Sequence, residues 1–546
     1  MIALSLLLAP AFGQESSDLG VPASASGSAP ASAPASAPAA ESTPAPAAEP
    51  APAAAEPAPA AAEQITPSVE STAAAPPPRK PPFSTTGEVR LLGSLPPGVV
   101  VDPDGNELGQ GAVLDTRLRA GLAYAADSWS LRTEWDLYDG QLAGDAWDVS
   151  GTTDARGRDG VGITAGSSFV PRRLSVEGRV GVVGVEAGLV TAHWGLGMLA
   201  NDGAHDPEFG RADFGDRMIR VRVATRPVAG VPLTVAIAGD RIIEDENATW
   251  SPFTGGQAAW QGLASVLWGE PTGPRAGLYG VYRNQTEADG LRVTEVGVVD
   301  LFGDAPLTVP GWSFRVAGEA AGILGSTSRA QTYNAKSGLV VQSAGALALL
   351  EARPNALPVR AIARAGWASG DGKLEDGYSR DFTFDRDLGV GMVLFDELQG
   401  AVDAAAYAQL TDTSHSGGAP DGAEVLVAEG AVRHAAFVQP VIGVTPRPWL
   451  DVKGGVLFAW NTSPIVQPFA TFRNGGVPTN HLGTPTTGYA LGTELDWAVT
   501  LGNVDAEVFG VKTVPALIVQ GGHLLASADM GGGVVTLVTA TGRVRW

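Results

Sequence analysis

The sequence predicts an all-β fold: a closed antiparallel transmembrane β-barrel of about 16–20 strands, preceded by a disordered Pro/Ala-rich segment. Three observations carry this reading. Apolar content is high but dispersed, with 44% hydrophobic and only 17% charged residues, yet no run approaches the roughly 20 apolar residues that a membrane-spanning helix needs. Beyond Pro82, apolar and charged residues alternate with period two over segments of about 9–14 residues, the span of a tilted membrane strand. The connections between segments alternate between short and long, as expected if one rim carries tight turns and the other long loops.

Residues 1–13, MIALSLLLAPAFG, combine a short apolar run with Ala11-Phe12-Gly13, small at both positions that a signal peptidase reads. An export signal is expected here, although no Lys or Arg precedes the apolar run; either the signal is atypical or translation begins upstream. Residues 14–82 are almost entirely Ala, Pro, Ser and Glu, with repeated SAPA and EPAPA units. Proline fixes φ and removes donors, and no large side chains are present to build a core, so this stretch reads as a disordered periplasmic tether. Extended at ~3 Å per residue it would reach on the order of 200 Å. Residues 83–546 are left for the barrel.

Within that region Leu114, Thr116, Leu118, Ala120, Leu122 and Tyr124 alternate with Asp115, Arg117, Arg119, Gly121 and Ala123. Trp129, Leu131, Thr133, Trp135 and Leu137 then alternate with Ser130, Arg132, Glu134, Asp136 and Tyr138. A hairpin centred on 126/127 is expected to set Arg119 opposite Glu134, Arg117 opposite Asp136, and Leu118 opposite Trp135. The same alternation recurs at 312–319, 450–460 and 489–497. Strands are expected at 84–94, 112–124, 129–138, 171–180, 183–191, 217–225, 232–240, 257–268, 274–284 and 289–300. They continue at 311–322, 336–351, 357–367, 388–396, 400–409, 430–445, 448–461, 487–499, 504–512 and 534–546. That makes about 20, with 16 or 18 also compatible. The long loops, 368–387 and 410–429 above all, are expected to fold toward the mouth.

The chain ends VVTLVTATGRVRW, with Val534, Thr536, Val538, Ala540, Gly542 and Val544 on one face and a terminal Trp546. This ending resembles the C-terminal signal of outer-membrane barrels, and the resemblance implies recognition of Val544 and Trp546 by the barrel assembly machinery. FTFDRDLGVGMVLFDEL (382–398) and HWGLGMLANDG (193–203) resemble stretches of large outer-membrane proteins of delta-proteobacteria and myxobacteria, distantly similar to porins and alginate-export channels. That family implies a monomeric barrel with long surface loops and carries no catalytic set onto this chain. Contacts with outer-membrane lipid and lipopolysaccharide are expected, with the N-terminal segment in the periplasm.

The charges on the inward face suggest the chemistry. Arg117, Arg119, Arg132, Arg179, Arg220, Arg222, Arg315, Arg360, Arg364, Lys453, Arg543 and Arg545 are expected to line the lumen. Asp115, Glu134, Asp136, Glu177, Glu186, Glu319, Asp451, Glu494, Asp496, Asp505 and Glu507 are expected to share it. A midplane charge facing lipid would cost roughly 2–4 kcal/mol, so a wet interior is where such residues belong. A channel for small polar or charged solutes follows, with a structural outer-membrane anchor of an envelope-spanning complex as the alternative, its partner held through residues 14–82. The net charge of −22 opposes nucleic-acid binding. The absence of cysteine excludes thiol chemistry. Six histidines, at 193, 205, 415, 434, 481 and 523, accompany neither a nucleophile elbow nor HExxH, so no enzyme is expected. Calcium is considered at Asp102-Asp104-Asn106 and at Glu375, Asp376, Asp381, Asp385 and Asp387. The first lacks the glycine spacing and distant Glu of an EF-hand loop.

Overall fold

The computed structural model describes residues 82–546 except 97, 109–110, 145–168, 213–214, 246, 254, 289, 330–337, 374–375, 412–429, 465–466, 475–476, 487 and 509–510. The expected signal peptide and tether lie outside these residues, as does Glu375. Eighteen strands form the wall. They begin with β1 (Phe83–Leu95), β2 (Val113–Ala125), β3 (Trp129–Gly144), β4 (Val170–Val180), β5 (Val183–Thr191) and β6 (Arg217–Thr225). Next come β7 (Leu233–Asp245), β8 (Ala258–Gly269), β9 (Arg275–Thr286), β10 (Val293–Val309), β11 (Trp312–Thr327) and β12 (Leu339–Pro354). The last six are β13 (Val359–Ala368), β14 (Ala435–Arg447), β15 (Leu450–Asn461), β16 (Ala490–Gly502), β17 (Val511–Ala526) and β18 (Val534–Arg545). Each pairs antiparallel with its neighbours in sequence, and β18 pairs back onto β1 from Glu88↔Arg545 to Leu95↔Val538.

Closure satisfies every edge, which is what a sheet in lipid requires. Side chains alternate across the wall. Leu122, Val221, Ile237, Val299, Leu324, Ile442 and Leu495 point outward and are exposed, while Asp136, Arg220, Asp240, Glu319 and Glu494 are buried on the other face. Exposed aromatics mark both ends of this apolar belt: Phe83, Trp129, Trp268, Trp312 and Trp449 near the short turns, and Trp260, Trp367, Trp460 and Tyr489 near the long loops. Trp260 and Trp268 stand at the two ends of β8. Eight steps of about 3.3 Å separate them, about 26 Å along the strand and roughly 20 Å of height once the strand tilts, close to the apolar band of an outer-membrane barrel. The fold is therefore a transmembrane barrel of the outer-membrane type.

Three expected strands are not wall strands. Residues 388–396 and 400–409 instead contain a π-helical turn, Leu394–Gln399, running into helix α1 (Gly400–Thr411), both inside the barrel. Their apolar residues are continuous rather than alternating, and the Ala-rich stretch favours helix. Of residues 504–512, Ala506–Val508 pair back on Val511–Thr513 at the start of β17 instead of forming a wall strand. Asp505 and Glu507 thus sit in the β16–β17 connection rather than on a wall strand. Removing these three and adding β17 (Val511–Ala526), whose residues beyond 512 were not among the expected strands, turns 20 into 18. In β16, Leu491 is the extra residue of a bulge against β15 and is buried inside, contrary to the outward place that strict alternation gives it.

The β2–β3 hairpin also differs from expectation. Arg119 lies opposite Asp136, Ala120 opposite Trp135 and Gly121 opposite Glu134. The turn is tight, with the Ala126 amide donating to the Trp129 carbonyl at 2.8 Å, so its centre moves by one residue and the register by two. A two-residue shift leaves every side chain on its own face, and alternation alone does not detect it. A further bulge leaves Leu137 unopposed, putting Tyr138 opposite Leu118 and Asp139 opposite Arg117. Arg119 grips Asp136 at 2.6 and 3.1 Å, while Glu134 is 4.0 Å away. In double-mutant cycles on folding stability, Arg119 should couple to Asp136 by about 1 kcal/mol and to Glu134 by much less. Equal couplings would mean that the hairpin has the other register.

The seam supplies a second prediction. Gly87 and Trp546 exchange both backbone hydrogen bonds, at 3.0 and 3.1 Å, and a Cβ on Gly87 would come within 2.2 Å of the Trp546 indole. Gly87→Val should displace the indole and cost about 1–3 kcal/mol, measured as a loss of heat-resistant folded barrel in gel migration. Trp546→Ala in the same chain should recover part of that loss.

Candidate functional site

The interior of the barrel is where the side-chain chemistry concentrates. Two stretches fold into it: the described residues of the β5–β6 connection, 192–212 and 215–216, and residues 379–411 of the β13–β14 connection. Phe209, Met198, Phe382, Phe384, Met392, Leu394 and Phe395 on these stretches are fully buried and form the core together with inward wall residues such as Leu347, Ile362, Phe437 and Leu457. Wall glycines make room for them. A Cβ on Gly345 would stand 2.3 Å from the Phe382 ring, and one on Gly455 would stand 2.9 Å from Phe209. The β12–β16 sector of the interior thus packs an apolar core beside inward charges such as Arg364, Glu494 and Asp496.

Buried carboxylates on the wall hold the backbone of both stretches. Glu494 on β16 accepts from the amides of Met392, Val393 and Leu394 at 2.5–2.8 Å, which are the orphan donors at the start of the helical segment. Asp300 accepts from the Trp194 indole at 2.7 Å, and Glu319 accepts from the Leu196 amide. Gln520 on β17 pairs both ways with the Gly210 backbone, at 3.2 and 3.1 Å. The stretches also meet each other, because Asp387 accepts from the Gly215 amide.

Ion pairs complete the attachment. Asp206 takes Arg543 and Arg545 at 2.7 and 3.0 Å, with Arg545 also bound to Glu88. Glu208 takes Arg360 and Lys453, at 3.3 and 3.4 Å. These cations lie at the short-turn ends of β18, β13 and β15, so the β5–β6 connection descends to that end before climbing back to β6. Burial disfavours the charge on Asp206, but the two guanidiniums outweigh it and bring the carboxyl down to about 2. Glu208 is likewise lowered, with Lys453 and then Arg360 overcoming burial.

The remaining sequence-singled residues are distributed around the wall. Asp115 meets Arg211, Arg117 meets Asp139, and Arg172 lies 3.4 Å from Glu134. Arg220 forks onto Asp240 at 2.7 Å, Arg222 meets Glu186, and Arg315 meets Asp304. Asp451 accepts from Thr445, and Asp496 is buried beside Glu494 on β16. Arg132 lies opposite Ala123 and Ser175. Val544 faces outward beside the seam. The described acidic groups considered for calcium are each engaged separately. Asp102 closes an Asx-type turn on Asp104 and Asn106, Asp376 meets Arg380, Asp381 meets Arg433, and Asp385 caps the following turn through the Asp387 amide. Burial opposes the Asp381 charge, yet Arg433 and His434 hold the carboxyl well below the usual range.

Between the two interior stretches and the β6–β12 wall lies a cavity of about 260 Å³. Asp216, Arg220, Tyr279, Arg283, Arg329, Asp381 and Arg433 line it, with Met218, Ile242, Val296 and Ile323 between them. Sequence reading singled out Arg220 and, as a calcium candidate, Asp381, but missed Asp206, Glu208, Asp300 and Gln520 as anchors. The available signal was the apolar WGLGML and LGVGMVLF in segments too hydrophobic for water-exposed loops.

No family model and no curated protein matches this chain. Among solved structures it is similar to Pseudomonas aeruginosa OccK5 (OpdH), at 8% identity and TM-score 0.46, covering 85% of this chain and 98% of that one. It is also similar to Pseudomonas aeruginosa OprD, at 10% and 0.46, covering 85% and 95%. A BenF-like porin from Pseudomonas fluorescens gives 9% and 0.47, covering 85% and 99%. These are outer-membrane porin-like barrels at low identity; the strand count and closure above rest on the pairing register alone.

Glu494 offers a direct check on the attachment. Glu494→Ala removes three charge-assisted hydrogen bonds at once and should loosen residues 392–411 by about 1.5–3 kcal/mol. Proteolysis of folded barrel should then cut within 388–411 in the variant but not in the parent.

Proposed function

We propose that this barrel is an outer-membrane channel for small polar or charged solutes, with its lumen narrowed by residues 192–216 and 379–411. The observation that carries the reading is the cavity between these stretches and the β6–β12 wall. Its charges of both signs would offer a passing solute hydrogen bonds and compensating fields in place of water. In this reading Arg220, Arg222, Arg315, Glu319, Glu494, Asp496 and the other inward charges line or brace the lumen. Residues 14–82 extend into the periplasm, and Val544 and Trp546 serve assembly.

Asp206 and Glu208 close the short-turn end by binding four wall cations, so the channel is gated from that side. Purified barrel in planar lipid should conduct in small steps, and Asp206→Ala with Glu208→Ala should raise unit conductance several-fold. A barrel that stays silent in both forms would instead be the anchor of an envelope complex. The same contact predicts a pH response. The depressed carboxyl of Asp206 contributes closure above the ordinary carboxylate range near pH 4, and that contribution is lost as pH falls toward about 2. Conductance of the parent should therefore rise on acidification through this window, and the double variant should respond less.

A further inference from the structure

The interior stretch 192–216 brings together three groups that the channel reading does not use. Asp202 Oδ1 lies 3.0 Å from His205 Nδ1 and 3.9 Å from His193 Nδ1. The two imidazoles face each other with centroids 4.1 Å apart and planes at 27°, and one ligand atom from each residue falls within 4.8 Å of the others. His193 Nδ1 is buried and makes no hydrogen bond. Its separation from the carboxylate is too long for a hydrogen bond, but two metal–ligand bonds of about 2.0–2.2 Å span it. We propose that His193, Asp202 and His205 form a binding site for a divalent first-row transition ion, with solvent in the remaining coordination position.

The chemistry of the set selects the ion. Two imidazoles with one carboxylate suit Zn²⁺, Co²⁺, Ni²⁺ or Cu²⁺, whereas Ca²⁺ and Mg²⁺ require more oxygens than this group supplies. The rings must open from their stack to converge on one point. His205 is 37% exposed, which provides access from the aqueous end. Asp202 Oδ1 also accepts from the Ala204 amide at 3.0 Å, which orients the carboxylate toward the two imidazoles. Arg172 donates to the Asp202 main-chain carbonyl at 3.0 Å. Bound metal would staple the start of the stretch, at His193, to Asp202 and His205 just before the Asp206 anchor.

The test uses full-length, tag-free barrel in detergent, titrated with Co²⁺ and then displaced with Zn²⁺. One Co²⁺ per chain is expected, with the intense visible absorption of a low-coordinate site. His193→Ala, His205→Ala and Asp202→Asn should each weaken binding at least about 100-fold while keeping the folded, heat-modifiable migration. Unchanged binding in these variants, no binding in the parent, or equal competition by Ca²⁺ would overturn the assignment. Should a variant fail to fold, histidine modification of the parent by diethyl pyrocarbonate decides the matter. Protection of His193 and His205 by Zn²⁺ supports the site, and equal labelling with and without Zn²⁺ rejects it. Neither readout depends on whether the barrel conducts.

Discussion

Every other feature of this molecule depends on the pairing of β18 with β1. In lipid an unpaired sheet edge would leave a row of amides and carbonyls with no partner, at several kcal/mol each, so the sheet closes or does not insert. Arg545 and Glu88 meet across that seam, and the Trp546 indole covers Gly87 on its outer side. Once the edge is satisfied, the lipid can accept the apolar outer face, and the polar face is left with an interior to fill.

The interior is filled by chain rather than by water alone. Burying the backbone of 192–216 and 379–411 would strand donors wherever regular structure stops, and the wall answers with acceptors at those points. Glu494, Asp300, Glu319 and Gln520 each meet a named amide or indole. The side chains of the same stretches supply an apolar core on the β12–β16 side, leaving a charged cavity on the β6–β12 side. The stretches are therefore held from several sides of the wall, with the cavity left between them and the β6–β12 sector.

The wall was largely legible in the sequence, because lipid outside and polar groups inside write a period-two pattern onto each strand. Leu118, Leu122 and Val544 point outward as that pattern says. Register was less legible: turn geometry, not alternation, sets Arg119 against Asp136, and a bulge at Leu137 adds an offset that no pattern carries. The interior stretches were misread for a related reason. Residues buried on all sides have no face to alternate, so LGVGMVLF and the alanines of α1 resembled strands. The His193–Asp202–His205 grouping comes from a fold-back of a loop, and spacing in sequence gives no sign of it.

The glycines that receive the interior aromatics have a consequence for assembly. Phe382 occupies the space over Gly345 on β12, and the Phe437 ring on β14 occupies that over Gly366 on β13. Such fits form most easily against a sheet that is still open, since a closed barrel would have to admit a helix and its aromatic neighbours through its mouth. The seam joins residues 457 positions apart, the kind of contact that loop entropy makes slow. The delay gives residues 379–411 time to settle on the half-built wall. Closure of β18 on β1 then locks residues 379–411 in place, while strand number and stagger set the circumference of the barrel.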